Sequence, residues 1–535
     1  MTYIIKVIGP PGTGKTTRLI SYVESELAGG VLPQEIVYTS FTKAAAGEAR
    51  DRALVKFTDY SKDDFPWFST IHSICFRLLQ LDKAHVFAGR QLKEFCKYYG
   101  YELSGNANVP DENTEIDVPE MVLRTDADYF EHFLGWKRNL MLDLGEAYDL
   151  FTLQPGIPDG FTIDRLKAYI NRRNEYKVDK GLFDFTDFIE TCITQDLHPA
   201  GIKVIIADEY QDSSPLLDRL LELWSLNAER FYMGGDGYQA VFGFMGADPS
   251  IFINHKADEN VMLKQSYRCP LAVHDLSRQI VSRFSLRYKD DDFIPSGEHG
   301  FVFRNVPEGL DWDEIHGKTF YLHRTHWLLS QAYNDLLRDG IPFMTLRGRQ
   351  SPLQSSTAKM ISTLYKLVSW KSVPIEEMGR LMDYLPTRTT KYMFLRVGAK
   401  TECRQLIKEK SNRMITVHDL PALGFTSDFM LYFNPTSILS PFKIPDDEKS
   451  YFHKVIAKYG VNALDSEPNT VLSTIHGVKG KEVDNVILNL NLTRRTYQAF
   501  TDNPDAEHRL FYVGVTRAKS TVTLLEPDDY VSYQL

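Results

Sequence analysis

The feature that most constrains this sequence is an octapeptide near its start, where residues 9–16 read Gly-Pro-Pro-Gly-Thr-Gly-Lys-Thr. A short apolar run, residues 4–8, precedes it, and a helical pattern begins at about Lys15. In such a turn the backbone N–H groups face inward and bind anions, and the dipole of the following helix strengthens this. The sequence therefore predicts a phosphate-binding loop between a buried strand and a helix.

Within this loop, Lys15 is predicted to reach the β- and γ-phosphates of a nucleotide, and Thr16 to offer its hydroxyl to Mg²⁺. A carboxylate for the metal is expected at the end of a neighbouring strand, and the apolar run at 204–207 ends in Asp208 and Glu209. Asp208 fits the metal-linked role, and Glu209 fits that of a general base acting on water. Nucleotide contacts are predicted from Gly9, Pro10, Pro11, Gly12, Thr13, Gly14, Lys15, Thr16, Thr17 and Arg18.

Composition limits the classes of protein that fit such a site. The chain has 535 residues and a net charge of −10, which excludes a uniformly basic nucleic-acid-binding surface but allows a local basic groove. Its longest apolar runs have the length of strands, so we expect no membrane span, and its first residues lack the pattern of a secretory signal. The five cysteines are scattered without a Cys-x-x-Cys, which argues against disulfides or a zinc site. We expect a cytoplasmic protein, from a bacterium or a viral equivalent.

The order of strand and helix patterns predicts an α/β fold with parallel sheets. Apolar runs typical of buried strands alternate with helical patterns in the first part of the chain, and a second set begins at about residue 301 and resumes near residue 469. Strand signals fade over 74–185 and 351–464, where helix-like segments dominate. We therefore predict two α/β sheets, each interrupted by a mostly helical insertion.

Further motifs follow in order along nearly the whole chain. They are Ser40–Glu48, Thr70–His72, Asp208–Asp212, Gly235–Phe244, Gln265–Arg268, Thr474–Glu482 and Tyr512–Ala518. This series resembles the UvrD/Rep/PcrA group of superfamily 1 DNA helicases, in a compact version. The resemblance implies two RecA-like motor domains with helical insertions. The implied boundaries are 1–73 with 186–260 for the first motor domain, 74–185 for its insertion, 261–350 with 465–535 for the second motor domain, and 351–464 for its reduced insertion.

The resemblance also assigns roles around ATP to residues far from the loop. Gln239 would sense the γ-phosphate, Tyr267 would stack on the adenine, and Glu482 would bind the ribose hydroxyl. Arg268 and Arg517 are expected in the second sheet, where their guanidiniums can neutralise charge on the γ-phosphoryl group if both sheets close on one ATP. The predicted catalytic residues are Lys15, Glu209, Gln239, Arg268 and Arg517, with ATP and Mg²⁺ as cofactors.

On the DNA side, the resemblance implies aromatic platforms and phosphate-binding hydroxyls rather than readers of base edges. The residues at the family's single-strand positions are Phe41, Thr42, Thr70, His72, Phe242, Phe244 and His476. For each aromatic residue, packing in the core is the alternative. The sequence shows no recognition-helix or zinc-finger pattern, so we expect binding to single-stranded and tailed duplex DNA without sequence specificity.

The sequence departs from the family's usual pattern at several positions. The phosphate-binding loop begins at Gly9, where relatives have a glutamine-containing stretch upstream that contacts adenine, and Thr17 stands where Arg is common. We therefore expect weaker selection of ATP over GTP. Met245 replaces the Arg that usually follows the stacking aromatic, so we expect an altered link between DNA and the acidic motif.

The second insertion is short for the family, and the chain ends soon after the last motif. Within this insertion, residues 386–413 form what we call the basic segment, in which eight Lys or Arg residues face two Glu. Its basic residues are Arg388, Lys391, Arg396, Lys400, Arg404, Lys408, Lys410 and Arg413. The segment is interpreted either as a solvated helix face or as a surface that holds duplex DNA.

Taken together, the resemblance implies an ATP-driven motor that moves 3′ to 5′ on single-stranded DNA and opens duplex. Two alternatives stay open. The first is a translocase or fork remodeller with little unwinding of its own, which the short second insertion favours. The second is an ATP-gated DNA-binding or loading module, against which the presence of Glu209 and Arg517 argues.

Overall fold

A computed structural model describes residues 2–40, 43–104, 123–288, 291–305, 310–346, 348–409, 412–526 and 531–535. The chain divides into two compact units. The first unit comprises residues 1–305 and 475–535, and the second unit comprises residues 306–474. Among the described residues, no helix combines the length and the apolar character needed to cross a bilayer.

The first unit begins with alternating strands and helices. In chain order these are β1 (Tyr3–Ile8), α1 (Lys15–Ala28), β2 (Ile36–Thr39), α2 (Lys43–Lys56), α3 (Ile71–Leu78), α4 (Gly89–Tyr99), α5 (Asp126–Asn139), α6 (Leu144–Thr152), α7 (Ile163–Lys180), α8 (Phe185–Thr194), β3 (Val204–Ala207), α9 (Pro215–Ser225), β4 (Arg230–Gly235), α10 (Pro249–Asn254) and β5 (Glu259–Met262).

The five strands of this region form one parallel sheet in the order β2-β3-β4-β1-β5. Every residue of β2 and β3 is buried, as expected when helices cover both faces of a parallel sheet. Because all five strands run the same way, the residues that follow β1, β3 and β4 meet at one edge. The candidate site lies at that edge.

Helices α4–α7 pack around a core of their own, which is rich in aromatic residues such as Phe133 and Tyr169. A buried ion network lies where this helical region returns to the sheet. Asp184, the N-cap of α8, accepts hydrogen bonds from Arg138 at 3.0 Å and from Arg173 at 2.8 Å. Because breaking a buried, hydrogen-bonded ion pair is strongly destabilising, the network fixes this junction.

After β5 the first unit continues with α11 (Leu271–Val281) and β6 (Phe301–Asn305). The second unit then contains β7 (Thr319–His323), α12 (His326–Asp339), β8 (Phe343–Thr345), α13 (Ser356–Val368), β9 (Val373–Pro374), α14 (Ile375–Tyr384), α15 (Ala399–Glu409), β10 (Met414–Ile415), α16 (Ser427–Met430), α17 (Asp446–Tyr459) and β11 (Thr470–Thr474). Strand β11 pairs in parallel with β7 and with β8, and β9 and β10 form a short antiparallel pair.

The chain returns to the first unit with β12 (Val483–Asn489), α18 (Arg494–Asp502), α19 (Pro504–Val515) and β13 (Ala518–Leu525). Strand β13 pairs in parallel with β12 on one side and with β6 on the other. The predicted fold class is therefore confirmed: the protein is α/β, with RecA-like parallel sheets and mostly helical insertions. The boundaries of the four predicted domains stay predictions.

The sequence patterns did not reveal four of the strands. The residues of β5 are exposed or half-buried and include Glu259 and Asn260, so this edge strand lacks an apolar run. Strand β8 has three residues, and β9 and β10 have two each. Such segments are too short for an alternating pattern to stand out.

Candidate active site and nucleic-acid interface

The phosphate-binding loop connects β1 to α1 and contacts the segment that contains Arg268. Gly12 has a φ of 72°, and a Cβ at this position would lie 2.3 Å from Cβ of Arg268, so only glycine fits. The N–H of Tyr267 donates to the carbonyl of Gly12 at 2.8 Å. The hydroxyl of Ser266, which is fully buried, donates to the carbonyl of Pro11 at 2.7 Å. The two segments are therefore held together by hydrogen bonds to the backbone carbonyls of the loop.

Other loop residues fix the turn itself. The N–H of Gly9 donates to the carbonyl at the end of β4 at 3.0 Å, and Thr13 donates to the carbonyl of Pro10 from both its N–H and its hydroxyl. Gly14 has a φ of 78° and is the N-cap of α1, so the N–H groups of the first turn are available to an anion. The two exposed positions of that first turn are Thr17 and Arg18.

Lys15 reaches the two carboxylates that follow β3. Its Nζ lies 2.6 Å from Oε1 of Glu209 and 3.5 Å from Oδ1 of Asp208. The hydroxyl of Thr16 donates to Oδ2 of Asp208 at 2.8 Å. Burial disfavours the charged lysine, but the two carboxylates outweigh it and raise the pKa of Lys15 above its usual value. The structure thus brings together the predicted phosphate-binding and metal-linked residues.

Glu209 is held in a strained backbone conformation, with a φ of 58°. Such strain in a residue other than glycine is concentrated at functional sites. Burial acts to raise the pKa of the Glu209 carboxyl, but Lys15 and Lys479 lower it to about 2. Gln211 also donates to its Oε2. The carboxylate is therefore ionised at neutral pH and is able to accept a proton.

Arg268 forms an ion pair with Glu482 beside the loop. Nε of Arg268 lies 2.7 Å from Oε2 of Glu482, and Nζ of Lys519 lies 2.5 Å from Oε1 of the same carboxylate. Between Ser266 and Arg268, Tyr267 is 78% exposed although its backbone is anchored to the loop. Its ring therefore offers a free face on which a nucleotide base can stack.

Arg517 is almost completely buried and contacts Gln239. Its Nη2 donates to Oε1 of Gln239 at 2.7 Å, and Nε2 of Gln239 donates to Oδ2 of Asp236 at 2.6 Å. Burial and the charge of Arg268 lower the pKa of Arg517, whereas burial raises the pKa of Asp236 to about 6. The predicted γ-phosphate sensor and one predicted arginine are therefore in direct contact.

Two predicted single-strand residues belong to the start of α3. Thr70 is buried and is the N-cap of this helix, where its hydroxyl accepts a hydrogen bond from the N–H of Ser73 at 3.4 Å. The ring of His72 packs edge-on against Phe185 at 5.9 Å. Burial lowers the pKa of His72 to about 4, so the ring is neutral at physiological pH. Both residues have a structural role in the fold, and a role in binding DNA stays a prediction.

Three other predicted residues lie together and form what we call the aromatic platform: Phe242, Phe244 and His476. The rings of Phe242 and Phe244 are 6.3 Å apart, and Phe244 meets His476 edge-on at 5.7 Å. Phe242 is buried, whereas Phe244 is half-buried. Phe244 is thus the better placed of the two to meet a base. Phe41 and Thr42 lie outside the described residues.

Sequence reasoning missed two charged residues that connect these regions. Lys479 forms an ion pair with Asp212, and its Nζ lies 4.7 Å from the ring centroid of Phe242. Both residues lie inside the motifs quoted above, but they are 267 positions apart, and no local spacing rule pairs them. The backbone of Met245 is held separately, because Nδ2 of Asn139 in α5 donates to its carbonyl at 2.9 Å.

The arrangement around the loop fits a nucleotide with Mg²⁺. The first turn of α1 offers N–H groups to an anion, and Lys15 in the same turn brings a positive charge. The hydroxyl of Thr16 and the carboxylate of Asp208 are oxygen donors of the kind that Mg²⁺ prefers. Thr16 and Asp208 would hold the metal, which would polarise the phosphates.

A phosphate-binding loop, two carboxylates after a neighbouring strand and two arginines define the class of P-loop nucleoside triphosphatases. Comparison with family models identifies the family within that class. Residues 2–260 match the UvrD/REP helicase N-terminal domain, and residues 454–526 match the UvrD-like helicase C-terminal domain. The chain belongs to the UvrD/Rep helicase family, and the resemblance seen in its motifs is confirmed.

Curated relatives agree with this family. A protein named probable DNA helicase from Mycoplasma pneumoniae is 26% identical over 354 residues, which cover 62% of this chain and 61% of the relative. A probable DNA helicase II homolog from Mycoplasma capricolum is 22% identical and covers 64% and 50% of the two chains. The ATP-dependent DNA helicase PcrA from Staphylococcus aureus is 24% identical, covering 52% and 38%. The chain thus matches less than two thirds of the length of each relative.

Proposed function

We propose that this protein is an ATP-dependent DNA motor that moves 3′ to 5′ along single-stranded DNA and unwinds duplex, with ATP hydrolysed between two motor domains. The observation that carries the proposal is the cluster of Lys15, Glu209, Gln239, Arg268 and Arg517 in the first unit. A phosphate-binding loop alone is common to many nucleoside triphosphatases. Arginines next to the loop and a glutamine bound to one of them add the parts that a hydrolytic motor needs.

The chemistry follows from the contacts. Lys15 forms ion pairs with the two carboxylates. When a nucleotide binds, Lys15 would exchange these ion pairs for contacts with the β- and γ-phosphates. Glu209, ionised and held by Gln211, would orient the attacking water and accept its proton. Arg268 and Arg517 would neutralise the charge that develops on the γ-phosphoryl oxygens. Tyr267 would stack on the base, and Glu482 would contact the ribose.

The aromatic platform would supply the contact with DNA. Base–aromatic stacking does not depend on sequence, which suits a motor that must pass over any base. Gln239 would link the nucleotide site to the aromatic platform. It contacts both Asp236 and Arg517, and it lies in the same motif as Phe242. We propose that single-stranded and tailed duplex DNA are the substrates, and that the protein works in the cytoplasm.

A second candidate function is a single-strand translocase with little unwinding of its own. The observation that favours it is that arginines of the basic segment are paired with acidic residues of the second unit. Arg396 pairs with Glu402 at 2.5 Å, and Arg404 pairs with Asp383 at 2.7 Å. Charges engaged with neighbours attract DNA phosphates less strongly than free ones, which argues against a strong duplex-binding surface there.

Two assays separate these functions. Unwinding of duplexes with a 3′ or a 5′ single-stranded tail tests polarity and strand opening, and displacement of streptavidin from a biotinylated single strand tests movement alone. Movement with unwinding only on the 3′-tailed duplex supports the motor. Movement without unwinding supports the translocase.

The first test, however, is DNA-stimulated ATPase activity. We expect turnover of ATP with Mg²⁺ to rise severalfold or more when a single-stranded oligonucleotide is added. Turnover that does not respond to DNA, together with nucleotide-dependent DNA binding, would instead indicate an ATP-gated binding or loading module.

A further inference from the structure

A route of side-chain contacts joins the aromatic platform to the acidic motif, which comprises residues Asp208–Asp212. Lys479 and Asp212 form an ion pair in which the lysine side chain is 10% exposed and the carboxylate is fully buried. The same ammonium lies 4.7 Å from the ring centroid of Phe242, within the range of a cation–π contact. One positive charge thus touches both the platform and the acidic motif.

From Asp212 the contacts continue to the proposed general base. Nε2 of Gln211 lies 3.4 Å from Oδ2 of Asp212 and also donates to Oε2 of Glu209. Gln211 is completely buried, so its amide has little freedom to turn. The charge of Lys479 also acts directly on Glu209, where it helps to lower the pKa of the carboxyl. The route Phe242–Lys479–Asp212–Gln211–Glu209 is therefore continuous.

We propose that Lys479 is a positioning residue that transmits the stacking of a DNA base on the aromatic platform to Glu209, through its ion pair with Asp212. The proposal rests on the proposed function, because it concerns how DNA stimulates ATP hydrolysis. A base that stacks on Phe244 moves or fixes the neighbouring ring of Phe242, and the ammonium above that ring follows. Asp212 and Gln211 then set the orientation of the Glu209 carboxylate.

Burial makes the ion pair sensitive to such a change. A fully buried carboxylate that loses its cation is strongly destabilised. Among the described residues, no hydrogen-bond donor reaches Oδ1 of Asp212, so Lys479 at Oδ2 is its principal support. Met245, which follows Phe244, has a thioether side chain and supplies no charge. A small displacement of Lys479 therefore has a large electrostatic effect on the motif that contains Glu209.

The test compares the stimulation factor, that is, kcat with a saturating dT oligonucleotide divided by kcat without it. Lys479→Met keeps an unbranched side chain, one heavy atom shorter, and removes its charge. Lys479→Arg keeps the charge, and Asp212→Asn removes the charge of the other partner. Lys481→Met is the matched control, because Lys481 is an exposed lysine in the same loop. The double variant Lys479→Met/Asp212→Asn replaces the buried pair by two neutral groups and guards against misfolding of the single variants.

We expect Lys479→Met and Asp212→Asn each to reduce the stimulation factor about tenfold, within the usual range of coupling between sites. The double variant should show the same loss and not the product of both losses, because one pair is broken. Lys479→Arg should recover most of the stimulation, and Lys481→Met should resemble the unmodified protein.

Three results would overturn the inference. These are unchanged stimulation in Lys479→Met or in the double variant, losses that multiply in the double variant, and a loss in Lys479→Arg as large as that in Lys479→Met. Failure of the proposed function itself is recognised separately, since the unmodified protein would then show no stimulation by DNA.

Discussion

The nucleotide site and the basic segment are both rich in charged side chains, but they use them differently. In the nucleotide site, the pairs Lys15–Asp208 and Lys479–Asp212 join segments far apart along the chain, and each of the four side chains is 10% exposed or less. In the basic segment, Arg396 pairs with Glu402 only 6 positions away, and both side chains are more than half exposed. Exposed pairs of this kind contribute little to stability, whereas buried pairs are strongly destabilising to break. The density of charge in a sequence is thus a weaker guide to function than where the fold buries it.

The largest effect is expected at the Glu209 carboxylate of the nucleotide site. Glu209→Gln should lower kcat by about a hundredfold or more, as expected for the loss of a general base, while ATP still binds. Steady-state ATPase assays and nucleotide titration measure the two quantities. Glu35→Gln is the matched control, because Glu35 also pairs with a lysine, at 2.8 Å, but far from the loop. Near-normal turnover in Glu209→Gln would show that another group activates the water.

The second effect concerns the aromatic platform. Stacking is worth roughly 1–3 kcal/mol per base, so Phe244→Ala should weaken binding to single-stranded DNA by about 5- to 150-fold. Basal ATPase activity should persist, whereas movement should become uncoupled from turnover. Phe301→Ala removes a phenyl ring that is 57% exposed elsewhere in the first unit and should leave DNA binding unchanged. A lower melting temperature without a selective loss of DNA binding would identify Phe244 as a core residue.

The third effect is a dependence of DNA-stimulated kcat on pH, which arises in the nucleotide site and not in the basic segment. Burial raises the pKa of Asp236 to about 6, although the hydrogen bond from Gln239 and the charge of Lys15 act to lower it. Because a carboxyl is protonated below its pKa, Asp236 becomes neutral as pH falls through 6 and accepts less strongly from Gln239. DNA-stimulated kcat should therefore fall by about tenfold between pH 7 and pH 5.

The variant Asp236→Asn provides the control for this profile. It should be slow at pH 7. Burial also raises the pKa of Asp212 to about 6, so Asp236→Asn should lose only the part of the acidic limb that belongs to Asp236, and the limb should become shallower. Glu209, whose pKa is about 2, does not titrate in this range. An unchanged acidic limb in Asp236→Asn would assign the profile to another group.

The smallest effect is expected in the basic segment. Arg396 and Arg404 have acidic partners, and Nζ of Lys400 donates to the carbonyl of Leu385 at 2.8 Å. Replacing these three residues by Ala should change the slope of log K against log salt for a tailed duplex by less than the roughly 0.9 that one phosphate contact contributes. A larger flattening for tailed duplex than for single strand would show that the segment holds duplex. Lys410, in the same segment, lies outside the described residues.

Much of the nucleotide site could be predicted from the sequence, because its motifs are local. The loop, the acidic strand end and the segment Gln265–Arg268 each occupy a few consecutive residues, and a parallel sheet brings strand ends to one edge. The contacts between motifs could not be predicted. The approach of Gly12 to Arg268 and the pair Lys479–Asp212 join residues that are far apart along the chain and that meet only through tertiary packing.

The contact between Gln239 and Arg517 has a consequence for how the protein is made. These residues are 278 positions apart, and a ribosome adding about 5–20 residues per second needs roughly 14–56 s to pass from one to the other. During that time the growing chain has its phosphate-binding loop and both carboxylates but lacks the arginine that completes them. On the proposed function, a nascent chain would therefore bind nucleotide before it could turn it over, and hydrolysis would begin only after Arg517 had been added and folded against Gln239.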